Sequence, residues 1–329
     1  MSRLTLNISL AVGLLLIVLL SALLGSSQLS LSQTVLALFG AGSETARIIV
    51  WEIRLPRALA AMGVGAALGA SGALMQGLLR NPLAEPGVLG VSASASLGAI
   101  IALYFGLGFL GAFTVPVLAV TGALAATAVL SVLAAARISA VQLILVGVGL
   151  SSFAGALGAL AINLAPNRFA LSDMVTWMLG SVTNRSLDDL VFVAPFWIAG
   201  LGFAILTAPG LRALALGEDT AQTLGVDLAR IRSGAISAAA LLTGGAVALS
   251  GVIGFVGIVA PHLVRPFVRH DPADLLWPSA LLGGALIALA DLVLRLVPLD
   301  QELRLGVMVS MIGAPVFILI AVRNRGMGR

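Results

Sequence analysis

Ile53-Arg-Leu-Pro-Arg57 opens the segment around which the chain is organised. It leads into Ala66-Ala-Leu-Gly-Ala-Ser-Gly-Ala-Leu-Met-Gln76 and ends in Leu79-Arg-Asn-Pro-Leu-Ala-Glu-Pro-Gly87. Glycines and alanines recur at four-residue spacing in its middle, a pattern that lets helix backbones approach closely in a bilayer. Two prolines at its end disfavour helix in the residues before them. The segment therefore predicts a tightly packed transmembrane helix over about 55–78, closed by a stiff turn.

The composition places the rest of the chain in the membrane as well. Of 329 residues, 60% are hydrophobic and only 10% are charged, and the mean hydropathy is +1.12. A soluble domain must present a polar surface to water, which this composition does not supply. Apolar runs of roughly 20 residues, enough to cross the hydrocarbon core, recur from end to end. We predict an all-α polytopic membrane protein, with residues 1–329 forming one transmembrane domain.

Missing residue types exclude several kinds of chemistry. The chain has no cysteine and two histidines, which excludes disulfides and a histidine-built metal site. All 18 residues counted as Lys or Arg are arginines, so the P-loop lysine is absent. If ATP powers this protein, another polypeptide hydrolyses it. We predict no catalytic residue, metal or cofactor in this chain. Its net charge of +4 reflects arginines that set the orientation of the chain in the membrane, and does not indicate nucleic-acid binding.

Ten membrane spans are predicted from the apolar runs. They cover about 8–24, 55–78, 90–108, 114–135, 141–163, 190–208, 233–250, 257–268, 275–296 and 305–322. A signal peptide is the alternative for the first. With the N-terminus inside, eleven arginines fall inside and seven outside, which agrees with the positive-inside rule. Both termini are therefore expected in the cytoplasm.

The second and seventh predicted spans show a weak internal similarity. The second passes through Gly72-Ala-Leu-Met-Gln and breaks at Asn81-Pro82, and the seventh passes through Gly244-Gly-Ala-Val-Ala and breaks at Gly251-Val-Ile-Gly254. In the predicted topology the two spans run in opposite directions. This arrangement favours an inverted repeat of the kind found in transporters.

Several motifs, in order along nearly the whole chain, resemble those of one family. They are Arg54-Leu-Pro-Arg57, Gly72-Ala-Leu-Met-Gln-Gly-Leu-Leu-Arg-Asn-Pro-Leu-Ala-Glu-Pro-Gly-Val-Leu-Gly-Val91, Leu216-Gly-Glu-Asp-Thr-Ala-Gln-Thr-Leu-Gly225, Gly251-Val-Ile-Gly-Phe-Val-Gly-Ile-Val-Ala-Pro-His-Leu-Val-Arg265 and Gly313-Ala-Pro-Val-Phe317. The chain resembles the permease subunits of ABC importers for ferric siderophores, haem and cobalamin.

The resemblance implies a homodimer in the bacterial cytoplasmic membrane, with a translocation pathway between the two copies. It also implies two ATPase subunits, which carry ATP and Mg²⁺, on the cytoplasmic side. A periplasmic or lipoprotein substrate-binding protein would dock on the outer side and deliver an iron chelate.

The resemblance assigns roles to three groups of residues. Arginines at the outer end would dock the binding protein, and their planar guanidinium groups suit partner carboxylates; these are Arg54, Arg57, Arg295 and Arg304. The cytoplasmic gate would comprise Asn81, Pro82, Leu83, Ala84, Glu85, Pro86, Ser139 and Ala140. Coupling to the ATPase would fall to a loop over about 209–232, with Leu216, Gly217, Glu218, Asp219, Thr220, Leu224 and Gly225 at its core.

Each assignment has a structural alternative. The outer arginines could anchor a helix at the lipid headgroups. Arg295 lies four residues after Asp291, so an internal ion pair is nearly as plausible as docking, and such a pair is the better explanation of Asp291. The turn at 81–86 could simply reverse the chain. A solvated loop at 209–232 would leave Leu214, Leu216 and Leu224 exposed without reason, so coupling is favoured.

Two other functional classes remain. A secondary transporter needs ionisable residues in the middle of the membrane, and Asp291 is almost the only candidate. A channel needs a selectivity filter, and no repeated polar element suggests one. For the cargo, the order is ferric siderophore, haem, then cobalamin. Arg304, at a position where many family members carry proline, favours a siderophore slightly.

Overall fold

The computed structural model describes residues 2–25, 29–136, 138–268, 271–297 and 303–323. This part of the chain is helical and contains no β-strand. The helices are α1 (Arg3–Leu23), α2 (Leu31–Leu38), α3 (Glu44–Ile48), α4 (Leu55–Leu78), α5 (Val91–Tyr104), α6 (Thr114–Ala135), α7 (Ala140–Asn163), α8 (Arg168–Met178), α9 (Leu187–Leu214), α10 (Glu218–Thr223), α11 (Leu228–Ser250), α12 (Val256–Val264), α13 (Pro272–Leu296) and α14 (Leu305–Arg323).

Each predicted span coincides with one of these helices. Among the described residues, seven helical segments are long and apolar enough to cross a membrane: Arg3–Leu23, Glu44–Leu78, Thr114–Ala135, Val141–Asn163, Leu187–Leu214, Leu228–Ser250 and Pro272–Leu296. α5, α12 and the apolar part of α14 are shorter than about 20 residues. The polytopic helical fold is confirmed, and the count of ten spans stays a prediction.

α4 and α11 form the centre of the bundle. In the most apolar stretch of each of these two segments, 78% of the residues are buried inside the protein, against 28% in α1. A Cβ atom on Gly69 would overlap the carbonyl oxygen of Ser279 in α13, and one on Gly72 would overlap that of Gly257 in α12. The small residues of α4 therefore allow two other helices to approach its backbone, as their spacing predicts.

The two helices of the predicted inverted repeat pack against each other in opposite directions. Ser71 of α4 contacts α11 through Thr243, with 2.8 Å between the hydroxyl oxygens. Nine residues further along, Arg80 lies 4.0 Å from the same carboxylate that pairs with Arg232, near the start of α11. Increasing residue numbers in α4 thus meet decreasing numbers in α11. This agrees with the predicted opposite orientation, and the repeat itself stays a prediction.

The predicted bounds of the coupling loop, 209–232, are wrong. Helix α9 continues through Pro209 to Leu214, and α11 already begins at Leu228, so the connection covers only 215–227. Within a membrane bundle, packing against neighbouring helices allows proline inside a helix. Here Leu211 and Leu214 are buried in the core, which holds the last turns of α9 in place.

Candidate functional site

Two arginines from different helices share one buried aspartate at one end of the bundle. We call this the arginine end, comprising Arg54, Arg57, Asp291 and Arg295. Arg57 Nε donates to both carboxylate oxygens of Asp291, at 2.9 and 3.2 Å. Arg295 Nε lies 3.1 Å from Asp291 Oδ2. Asp291 is fully buried, so the predicted internal pair of Asp291 and Arg295 is confirmed, with Arg57 as an additional partner.

The other contacts of the arginine end hold α1. Arg54 Nη1 donates to the carbonyl oxygen of Leu23 at 2.7 Å. Arg295 Nη1 donates to the carbonyl oxygen of Ser21 at 3.1 Å, and its Nη2 contacts the Ser21 hydroxyl. Carbonyls in the last turn of a helix lack partners within the helix and carry partial negative charge, so cations are favoured there. The two arginines therefore fasten the end of α1 to α4 and α13.

The four residues of the arginine end carry a formal charge of +2, from three arginines and one aspartate. Arg54 is 4% exposed, and the side chains of Arg57 and Arg295 are 13% and 7% exposed. Arg304, immediately before α14, is half-buried. Three of the four predicted docking arginines, Arg54, Arg57 and Arg295, thus contact groups within the chain, and the role of all four in docking stays a prediction.

At the opposite end of α4, the residues after the helix form a stiff turn. The side-chain oxygen of Asn81 accepts a hydrogen bond from the Leu83 N–H at 2.9 Å, and the Asn81 carbonyl accepts one from the Ala84 N–H at 3.1 Å. This is the asparagine-initiated turn that such a sequence favours. Pro86 then begins a 3₁₀ segment, Pro86–Leu89. The structure confirms the predicted turn, and gating by it stays a prediction.

Glu85 connects this turn to α12. Its carboxylate accepts a hydrogen bond from the Phe255 N–H at 3.0 Å. Phe255 directly precedes α12 and has a φ of +68°, in the left-handed region. Burial raises the pKa of the Glu85 carboxyl above its ordinary value, and the Phe255 hydrogen bond lowers it by a smaller amount. No pattern in the sequence predicted this contact, because the two residues are 170 positions apart.

The other predicted gate residues lie at the start of α7. Ser139 caps the helix: its hydroxyl accepts from the Gln142 N–H at 3.2 Å, and the Gln142 side chain accepts from the Ser139 N–H at 2.8 Å. α7 meets the segment after the turn further along, where Gly147 lies against the backbone of Leu89 and the Ser151 hydroxyl donates to the Gly87 carbonyl at 3.1 Å. The nearer of these contacts is eight residues of helix from Ser139, about 12 Å. The side chain of Ala140 lies outside the described residues.

The predicted coupling residues form a short helix near the end of α4. Gly217, with a φ of +112°, precedes α10, and Gly225, with a φ of +80°, follows it. Glu218 Oε1 lies 2.7 Å from Arg232 Nη2 and 4.0 Å from Arg80 Nη2. We call this region the coupling end, comprising Arg80, residues 215–227 and Arg232.

The three leucines in and next to this connection differ in their exposure. Leu214 is buried in the core, whereas Leu216 and Leu224, on either side of α10, are 66% and 62% exposed. Asp219 and Thr220 are exposed as well. Leu214 therefore gives no support to the predicted coupling role, because it belongs to the last turn of α9 and is buried there. The other two leucines, with the acidic first turn of α10, form the exposed surface here.

A second ion network at the same end was not predicted. Arg212 Nε lies 2.7 Å from Asp271 Oδ2, and Arg212 Nη2 lies 3.2 Å from Asp274 Oδ1. Arg3 Nη2 lies 2.5 Å from Asp274 Oδ2. These contacts connect α1, α9 and α13. Within the described residues, no group of three or more His, Asp or Glu residues is placed to hold a metal ion.

The helical architecture, with its two charged ends, defines a polytopic membrane protein. The FecCD transport family model matches residues 13–323. The chain is 44% identical to the uncharacterized ABC transporter permease protein YvrB of Bacillus subtilis, over 85% of this chain and 80% of that protein. It is 42% identical to the vitamin B12 import system permease protein BtuC of Vibrio cholerae, over 87% of this chain and 86% of that one.

A solved structure gives the same result. It is described as a metal-chelate type ABC transporter in an inward-facing conformation, and it superposes with a TM-score of 0.83 at 31% identity, covering 98% of this chain and 99% of that one. The chain therefore belongs to the FecCD transport family, and it is an ABC transporter permease of the type to which these relatives belong.

Proposed function

We propose that this chain is the membrane subunit through which an ABC importer passes a metal chelate across the bacterial cytoplasmic membrane. The observation that carries the proposal is the family match over residues 13–323, which includes both charged ends of the bundle. The resemblance to a metal-chelate type transporter over nearly the full length supports the class of cargo.

A separate ATPase would supply the energy at the coupling end. Two such subunits, each with ATP and Mg²⁺, would bind a homodimer of this chain. Exposed leucines on both sides of a short acidic helix suit a groove on a partner protein, and Leu216 and Leu224 have this placement. Because the chain has no lysine, it cannot itself form a P-loop.

The coupling end would face the cytoplasm, with both chain termini on that side. The excess of arginines on the predicted inner side supports this orientation. The start of α1 lies at the same end, because Arg3 pairs with Asp274 there. In this arrangement the chain crosses the membrane ten times, and the turn at 81–86 and residues Ser139 and Ala140 close the pathway on the inner side.

The arginine end would then face the periplasm and receive the binding protein. Its formal charge of +2 attracts a partner that carries surface carboxylates, and such fields raise association rates. Of the two arginines that contact Asp291, Arg57 is more exposed than Arg295. Arg304 adds a half-buried positive charge just before α14. The four arginines would act together as a positive surface.

Two cargoes have specific support. The name of the Vibrio cholerae relative refers to vitamin B12, which favours cobalamin. The arginine at position 304 favours a ferric siderophore, the cargo that the sequence predicts first. Titrating the cognate binding protein with cobalamin, ferric siderophores and haem decides among the three, because that protein selects the cargo before this chain meets it.

Reconstitution into liposomes tests the function itself. We expect uptake of the bound chelate only when the ATPase, the loaded binding protein and ATP are all present, with omission of each as the control. Uptake by this chain alone, indifferent to ATP, would instead identify a secondary transporter or a channel and refute the proposal.

A further inference from the structure

One carboxylate at the coupling end lies between an arginine of α11 and an arginine that follows the end of α4. Glu218 is the first residue of α10, the helix proposed to contact the ATPase. Its Oε1 atom lies 2.7 Å from Arg232 of α11 and 4.0 Å from Arg80, which directly precedes the turn at 81–86. The helix that would receive force from the ATPase is thus linked through one side chain to both neighbouring elements.

Arg232 extends this link to the other proposed gate element. Its Nη1 donates a hydrogen bond to the carbonyl oxygen of Ile138 at 3.0 Å, and Ile138 directly precedes Ser139. A guanidinium group is planar and presents donors on more than one side, so one arginine can hold a carboxylate and a carbonyl at the same time. Arg232 therefore connects α10 with the segment that enters α7.

The burial of Arg232 separates this pair from an ordinary surface ion pair. Arg232 is 5% exposed, although it lies close to the end of a helix, and the side chain of its partner Glu218 is 34% exposed, so the buried member of the pair is the arginine. Two residues away, Arg230 pairs with Asp227 at 3.1 Å, but their side chains are 88% and 52% exposed. Exposed pairs contribute little, whereas breaking a buried pair leaves an uncompensated charge. The chain thus contains a matched control for Arg232.

We infer that Glu218 and Arg232 form the mechanical connection through which a displacement of α10 moves the gate segments at 81–86 and 138–140. This inference rests on the proposed function and names two positioning residues for it. When the ATPase displaces α10, the Glu218 carboxylate pulls Arg232 and Arg80 with it. Arg232 in turn pulls the backbone at Ile138 through its hydrogen bond. Without the connection, ATP hydrolysis proceeds with less movement of the pathway.

The experiment measures chelate taken up per ATP hydrolysed in the complete reconstituted complex. In R232Q and E218Q we expect this ratio to fall about tenfold, which corresponds to roughly 1.4 kcal/mol of lost coupling. R230Q should keep the ratio of the unchanged protein. The reversed pair E218R/R232E should recover part of the lost ratio, because it restores opposite charges at the same positions.

A purely structural role gives a different result. If R232Q only lowers the amount of folded protein, uptake and hydrolysis fall together and the ratio stays constant, which overturns the inference. If R232Q does not fold, R232K replaces it: it keeps the charge but lacks the planar fork, and we expect a ratio between those of the unchanged protein and E218Q. An unchanged ratio in both R232K and E218Q overturns the inference. A complex of unaltered subunits without ATP-driven uptake would instead refute the proposed function.

Discussion

Replacing Asp291 by asparagine should strongly destabilise the protein. Asp291 is fully buried and is the one carboxylate among the four residues of the arginine end. It holds Arg57 through two hydrogen bonds and Arg295 through a contact of 3.1 Å. The D291N side chain keeps the shape but loses the charge, so two buried guanidinium groups lose their counter-ion. Loss of one partner of a buried ion pair costs about 3–5 kcal/mol.

The assay is equilibrium unfolding in mixed micelles titrated with a denaturing detergent. We expect D291N to lose about 3–5 kcal/mol of unfolding free energy. R57Q should lose less, because Asp291 then keeps Arg295. The loss should persist at high salt, since buried pairs are screened much less than exposed ones.

D173N is the matched control, because it makes the same chemical change at an exposed position in α8. Surface changes of this kind stay within about 0.5 kcal/mol of the unchanged protein. If D291N also stays within that range, the buried pair does not stabilise the bundle, and our interpretation of the arginine end is refuted.

Three further predictions concern the centre of the bundle, the turn at 81–86 and the coupling end. Gly69→Ala should lower the free energy of unfolding by about 1–3 kcal/mol, because its Cβ would overlap a backbone oxygen. Gly202→Ala, which has open space, should be neutral or stabilising by up to roughly 1 kcal/mol, and equal effects of the two changes on thermal unfolding would contradict this. Because burial raises the pKa of Glu85, its contribution to stability is full below the ordinary pKa of 4.5 and is lost as the pH rises through the pKa of the folded protein. The variant E85Q should not show this loss, so parallel curves of melting temperature against pH for E85Q and the unchanged protein would contradict the prediction. Leu224→Ser should weaken co-purification of the ATPase several-fold, whereas Leu110→Ser, at an equally exposed position outside the coupling end, should not. Equal weakening by both changes would argue against a docking surface at the coupling end.

The sequence was most informative where local signals are strong. The predicted end of α4 agrees with the structure because Pro82 follows it closely, whereas at its start the helix continues back to Glu44 through a π-helical turn at Ile49–Arg54. The pair of Asp291 and Arg295 was predictable because residues four apart in a helix are neighbours. Both results depend on short separations along the chain.

Contacts between distant residues had no such signal. The bond from Arg57 to Asp291 joins residues 234 apart, and the bond from Arg232 to Ile138 joins residues 94 apart. No periodicity encodes such pairs, since they arise only when helices pack. The extension of α9 beyond Pro209 was also missed, because a proline ends many helices in water but is tolerated within a membrane bundle.

We propose an arrangement in which energy enters at the coupling end and cargo arrives at the arginine end, on opposite sides of the membrane. Its most direct test is ATP hydrolysis by the complete complex in liposomes, with ATP on one side and the loaded binding protein added to either side. We predict that the binding protein stimulates hydrolysis only from the side opposite to ATP. Stimulation from the same side as ATP, or hydrolysis by this chain alone, would contradict this arrangement.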